Sequence, residues 1–178
     1  MKKTLLLIAL AFIGSATAQT NEQFKLTQDG VAPIVQEIEG KTAADLYNSS
    51  VNWVQTTFKN PDKVLKAKIE NESIRVDGYK AQAWYYTSIG IKNYYNMQYS
   101  ITVSFKEGKY RMEFTIGDFT TNTGQKLTYS YPTFFKKDGS VRGTYEEAVP
   151  SLEASMNELA DALYNYLSGK TQAESSDW

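Results

Sequence analysis

Residues 96–116 read NMQYSITVSFKEGKYRMEFTI, and no other stretch limits the fold so narrowly. Tyr99, Ile101, Val103 and Phe105 alternate with Ser100, Thr102, Ser104 and Lys106. After Glu107-Gly108 the alternation resumes with Tyr110, Met112, Phe114 and Ile116. Alternation of period two marks half-buried strands, and a short glycine-containing turn between them marks an antiparallel hairpin. A two-residue turn at Glu107-Gly108 sets Phe105 opposite Tyr110, Val103 opposite Met112 and Ile101 opposite Phe114. A slip of one residue would turn one strand's apolar set into water, so the register is strongly specified.

The flanking chain supplies the rest of a domain. Ile34 to Gly40 reads as a strand with Glu37 and Glu39 on its wet face. Thr42 is a good helix N-cap, and Asp45 three residues on approaches a capping box. Leu46, Tyr47, Val51, Val54 and Phe58 recur at helical spacing with Trp53 at the stripe's edge, and Asn60-Pro61-Asp62 ends the helix. Val64 to Glu70 and Ile74 to Val76 read as short strands, with a turn at Asp77-Gly78. From Ala81 to Ile91, strand-forming residues occupy both faces: Ala83, Tyr85 and Ile89 on one, Trp84 and Tyr86 on the other. Leu127, Tyr129 and Tyr131 alternate with polar residues over Lys126 to Tyr131, as in an edge strand ended by Pro132. A second long helix runs from about Tyr145 to Leu167, with Val149, Leu152, Met156, Leu159, Leu163 and Tyr166 on one stripe and Ser168-Gly169 as its stop. The order predicts an α+β domain over residues 31–169: a curved antiparallel β-sheet with two helices packed on one face. Residues 19–30 read as a flexible arm and 170–178 as a mobile tail.

Met1 to Ala18 has the pattern of a secretory signal peptide. Lys2 and Lys3 precede the apolar run Leu5 to Ile13, and Ala16-Thr17-Ala18 is an A-x-A cleavage signature. The run is too short to span a bilayer. No Cys follows the cleavage site, so the lipoprotein route is closed. The expected compartment is the periplasm or the medium.

Composition removes much chemistry. With 0 Cys and 0 His there is no thiolate nucleophile, no Ser–His–acid triad and no imidazole or thiolate metal site. A disulfide cannot form. Net charge is -1, without the basic field of a nucleic-acid binder. No motif marks a catalytic, cofactor-binding or metal site.

The strand Ile34 to Gly40 running into the helix of Leu46, Tyr47, Trp53 and Phe58, followed by the hairpin of Tyr99, Ile101, Val103, Gly108-Lys109-Tyr110-Arg111 and Phe114, resembles a known family. It is similar to an uncharacterised secreted domain, described as having a TATA-binding-protein-like (TBP-like) fold, found in bacteria of the Bacteroidetes group. The resemblance covers about Ile34 to Phe119 and implies fold and compartment. It carries no catalytic residues over and gives no licence for DNA binding. The aromatic segment from Trp84 to Tyr95 lies outside the shared pattern.

That segment is the candidate site. Trp84, Tyr85, Tyr86, Tyr94 and Tyr95 offer a partner-binding surface, because Tyr and Trp give large contact area at low entropic cost. The reading that follows is a non-enzymatic binding or assembly module of the cell envelope with a protein or glycan partner. A glycan would use exposed rings beside Asn93, Asn96 and Gln98. The rivals are a carboxylate-based, glycosidase-like hydrolase drawing on Glu37, Glu39, Asp77, Glu113 and Asp118, and a small periplasmic inhibitor or chaperone-like protein.

Overall fold

The central hairpin pairs in the predicted register, with Phe105 opposite Tyr110, Val103 opposite Met112 and Ile101 opposite Phe114. The computed structural model describes residues 22–170. Its strands are β1 (Leu26–Thr27), β2 (Gly30–Val31), β3 (Ile34–Glu37), β4 (Leu65–Ile69), β5 (Ser73–Ser88), β6 (Ile91–Lys106) and β7 (Lys109–Thr120). Its helices are α1 (Ala43–Thr57), α2 (Pro61–Val64) and α3 (Ala148–Leu167). One antiparallel sheet runs in the order β3-β7-β6-β5-β4, and β1 and β2 form a separate two-stranded ribbon.

The helices form where their ends are chemically marked. Thr42 accepts the Asp45 N–H through its side chain, and the Asp45 carboxylate accepts the Thr42 N–H, so the capping box is complete. α1 buries Leu46, Trp53 and Val54, and α3 buries Leu152, Met156, Leu163 and Leu167. These stripes cover the sheet face carrying Ile74, Val76, Ile101, Val103, Met112 and Phe114, all of them buried. Each such apolar side chain contributes about 1.5–3 kcal/mol. α3 begins three residues later than the periodicity suggests, because Gly143–Tyr145 forms a 3-10 turn first.

Asp77-Gly78 is not a turn: it lies inside β5, which continues from Ser73 to Ser88. Gly78 stands opposite Tyr99, and a Cβ there would lie 2.3 Å from the Tyr99 ring. The glycine makes room for a phenol and does not reverse the chain. The edge strand expected over Lys126 to Tyr131 reduces to a single bridge, Thr120 to Lys126, and Tyr131–Phe134 is a 3-10 turn. Its rings are drawn onto an aromatic cluster, with Tyr129 tilted against Tyr145 at 6.3 Å, instead of along a ladder.

The flexible arm expected over residues 19–30 is docked from residue 22 onward. Phe24 is fully buried and packs edge-on against Phe114 at 5.6 Å. Asn157 of α3 accepts the Phe24 N–H at 2.7 Å and donates to its carbonyl at 3.1 Å, so the arm's backbone is satisfied where it enters the core. Two apolar residues in a polar run, Phe24 and Leu26, carry this docking. The expected signal peptide over residues 1–18 and all but the first residue of the tail expected over 170–178 lie outside the described residues. Among the described residues no helix is long and apolar enough to cross a membrane.

Candidate functional site

β5 and β6 together form the longest hairpin of the sheet, and a bulge divides it. Lys80 pairs with Met97 and Trp84 with Tyr95, so residues 81–83 stand against Asn96 alone. Gln82 there takes a φ of 51°. Buried Asn96 holds the bulge: it accepts the Gln82 N–H at 2.9 Å and donates to the Thr121 carbonyl at 2.9 Å. Asn96 is therefore structural and offers nothing to a glycan.

Beyond the bulge the two hairpin faces separate. Trp84, Tyr86 and Tyr95 turn inward. Trp84 is fully buried, stacked on Tyr95 at 4.5 Å and tilted against Phe119 and Phe134 at 5.0 and 4.9 Å. Its place in the expected binding surface is thus corrected: a fully buried indole flanked by the rings of Tyr86, Tyr95, Phe119 and Phe134 is core, and no partner reaches it. Tyr86 lies parallel to Tyr95 at 5.7 Å and edge-on to Tyr145 at 5.9 Å. The Tyr95 hydroxyl donates to that of Tyr86 at 3.5 Å, and burial, ahead of that bond, pushes the Tyr95 phenol up to about 12. Burial likewise raises Tyr129. Phenols shifted upward hold their protons, which suits packing and not nucleophilic or general-base work.

The outer face is different. Tyr85 and Tyr94 pair directly, with ring centroids 5.3 Å apart, and Lys92 Nζ lies 4.3 Å over the Tyr85 ring. Tyr94 is 37% exposed. A groove of about 530 Å³ runs between these rings and the start of α3, where Glu146, Glu147 and Pro150 line it. Ser151 Oγ accepts the Tyr85 N–H at 3.2 Å, which ties the hairpin to the helix.

The hairpin ends in a two-residue turn, Ile89-Gly90, between the paired Ser88 and Ile91. Both turn residues have positive φ, 50° for Ile89 and 74° for Gly90, as a type I′ turn requires. Ile89 is 98% exposed and Ile91 67%. A β-branched residue in the left-handed region is a genuine outlier. The sequence alone places Ile89 on a strand face; the Ile-Gly dipeptide hides the turn that Asn-Gly would have announced.

Of the candidate acids, Glu113 pairs with Arg111 at 2.6 Å and Asp118 with Lys126 at 2.7 Å. Asp77 accepts from Ser100 Oγ at 2.6 Å and from Arg75 Nε at 3.1 Å. The Ser100 bond lowers the Asp77 pKa, and the carboxyls of Asp45 and Asp138 move down too, each through a hydroxyl of Thr42 or Ser140. A glycosidase acid needs the opposite shift. Glu37 and Glu39 flank Ile38 at the end of β3, beside the last turn of α3. Among the described residues, no cluster of three acids could hold a metal ion.

Residues 35–120 match a family described as a domain of unknown function, DUF4468, with a TBP-like fold. Two crystal structures share the fold. A DUF4468 family protein from Bacteroides ovatus superposes with a TM-score of 0.51 at 16% identity, covering 77% of this chain and 83% of that one. A TBP-like protein from Parabacteroides distasonis gives 0.54 at 14% identity, covering 76% and 90%. At these identities the likeness speaks for architecture alone. No curated protein matches the sequence.

Proposed function

From a chain whose residues 35–120 form a DUF4468 domain with a TBP-like fold, we propose a non-catalytic binding module of the bacterial cell envelope that docks a partner protein through the tip of the β5–β6 hairpin. The observation that carries this reading is Ile89, an aliphatic side chain 98% exposed on a backbone that disfavours it. Strain of this kind points to use, because folding alone would select Asn or Gly at that position. Ile91 and the Tyr85–Tyr94 pair extend the apolar surface back toward α3. Glu146 and Glu147 beside those rings give the surface an acidic border. With Lys92 over the Tyr85 ring the border carries both signs, which suits a protein with an apolar pocket and a rim of complementary charge. The inner rings support the same reading, since they hold the hairpin rigid and lower the entropic cost of docking. The leader pattern at Met1 to Ala18 supports export to the periplasm or beyond. The Asp77 carboxyl, lowered by its bond from Ser100, does not serve as a glycosidase acid, which favours binding over a hydrolase.

The test is cross-linking in the native envelope with a photoreactive residue at position 91, followed by identification of the adduct. One dominant protein adduct, lost when Ile89 becomes Asn, supports the proposal. Diffuse labelling that the substitution leaves unchanged refutes it.

A further inference from the structure

A second surface lies on the sheet face turned away from α1 and α3. There Arg75, Asp77 and Tyr79 project from β5 opposite Thr102, Ser100 and Gln98 of β6. Three of these groups are locked together. Ser100 and Arg75 both donate to Asp77 Oδ1, and Arg75 Nη2 donates to Ser100 Oγ at 3.3 Å. Asp77 Oδ2 remains to accept, on a carboxylate held ionised by its partners. Tyr79 stands beside them 55% exposed, with no ring partner among the described residues. A shallow groove of about 350 Å³ joins Asp77, Tyr79, Gln98 and Ser100 to Lys63 at the end of α2 and Lys66 in the β4 bulge. Neither lysine makes an ion pair among the described residues.

We propose that this groove binds an acidic saccharide, a chain of uronic acid or sulfated units. Tyr79 offers a flat ring for the C–H face of a pyranose. Asp77 and Ser100, held in place by Arg75, and the Gln98 amide present acceptors and donors to its hydroxyls. Lys63 and Lys66 supply the cations that a carboxylate or sulfate group needs. A phosphate chain fits less well. A single ring does not make the row of stacking platforms that single strands use. This surface shares no residue with the hairpin tip, so either proposal can fail without the other. The sequence held its signal in Arg75-x-Asp77-x-Tyr79, three residues on one strand face, which a turn at Asp77-Gly78 would have broken.

The experiment is calorimetric titration of the purified protein with polygalacturonate, chondroitin sulfate, neutral dextran and single-stranded DNA. Binding of an acidic polysaccharide, with dextran and DNA silent, is the expected result. Tyr79→Ala and Lys66→Ala should each weaken it about tenfold, Tyr79→Phe should retain it, and Ile89→Asn should leave it unchanged. Equal binding of DNA, equal binding of dextran, indifference to Tyr79→Ala in a protein with native circular dichroism, or no binding to any of the four overturns the proposal.

Discussion

Replacing Ile89 by Asn should make the protein more stable and less able to bind. In the left-handed region an L-residue with a branched Cβ crowds its own carbonyl, at a cost of about 1–2 kcal/mol. Asn tolerates that region through local hydrogen bonding, and Asn-Gly is the preferred type I′ pair. Ile89 is 98% exposed, so its removal forfeits no core burial. The net gain should be about 1 kcal/mol, and for a domain of this size that raises Tm by about 2–4 °C. The assay is paired: thermal unfolding followed by circular dichroism, and capture of the proposed protein partner from solubilised envelope. A variant that melts later and captures less establishes a residue kept for docking at the expense of folding. A variant that melts earlier refutes the strain argument, because Ile89 must then be supported by contacts. One that melts later and binds as before leaves the strain intact but removes the hairpin tip from recognition.

Other substitutions test the architecture. Gly78→Ala forces a Cβ into the Tyr99 ring and should cost about 1–3 kcal/mol, seen as a lower urea midpoint; the double variant with Tyr99→Ala should recover the glycine's share. Asn96→Ala leaves the Gln82 N–H and the Thr121 carbonyl without their partner and should cost about 1–3 kcal/mol, with faster amide exchange confined to residues around the bulge. Burial pushes the Tyr99 phenol up to about 12, from an ordinary value near 10. Below pH 10 the phenol is neutral in both folded and unfolded chains, so its contribution is whole there. Between pH 10 and about 12 only the unfolded chain ionises, and stability should fall by about 2–3 kcal/mol. Tyr99→Phe should flatten that part of the profile in urea titrations.

Local chemistry made the central hairpin, both long helices and the capping box legible. In each case the element's identity rests on residues within one or two turns of one another: the alternation around Glu107-Gly108, the pair Thr42 and Asp45, the stripe Leu152, Met156 and Leu163. What stayed hidden depends on partners distant in sequence. Gly78 looks like a turn residue until Tyr99 is seen to occupy its side-chain space. Phe24 looks like part of a loose arm until Asn157 meets its backbone. Trp84 and Tyr85 are neighbours of similar chemistry, yet one is core and the other half-buried on the outer face. That division is set by Phe119 and Phe134, which no periodicity near residue 84 foretells.

The bulge at residues 81–83 explains how one hairpin can belong to the core and also carry the proposed docking surface. Up to Lys80 and Met97, β5 and β6 lie under the helices and their inward side chains are ordinary core. Past Asn96 the hairpin extends toward the start of α3, where Ser151 and Ser155 bind its backbone through Tyr85 and Ala83. A free two-stranded ribbon of that length would be marginally stable in water. Here the inward rings of Trp84, Tyr86 and Tyr95 anchor it to Phe119, Phe134 and Tyr145. The aromatic excess in this segment therefore does two jobs on two faces. The buried rings fix the hairpin's direction, and that fixed direction is what allows a strained and solvated Ile89 to stay presented at its tip.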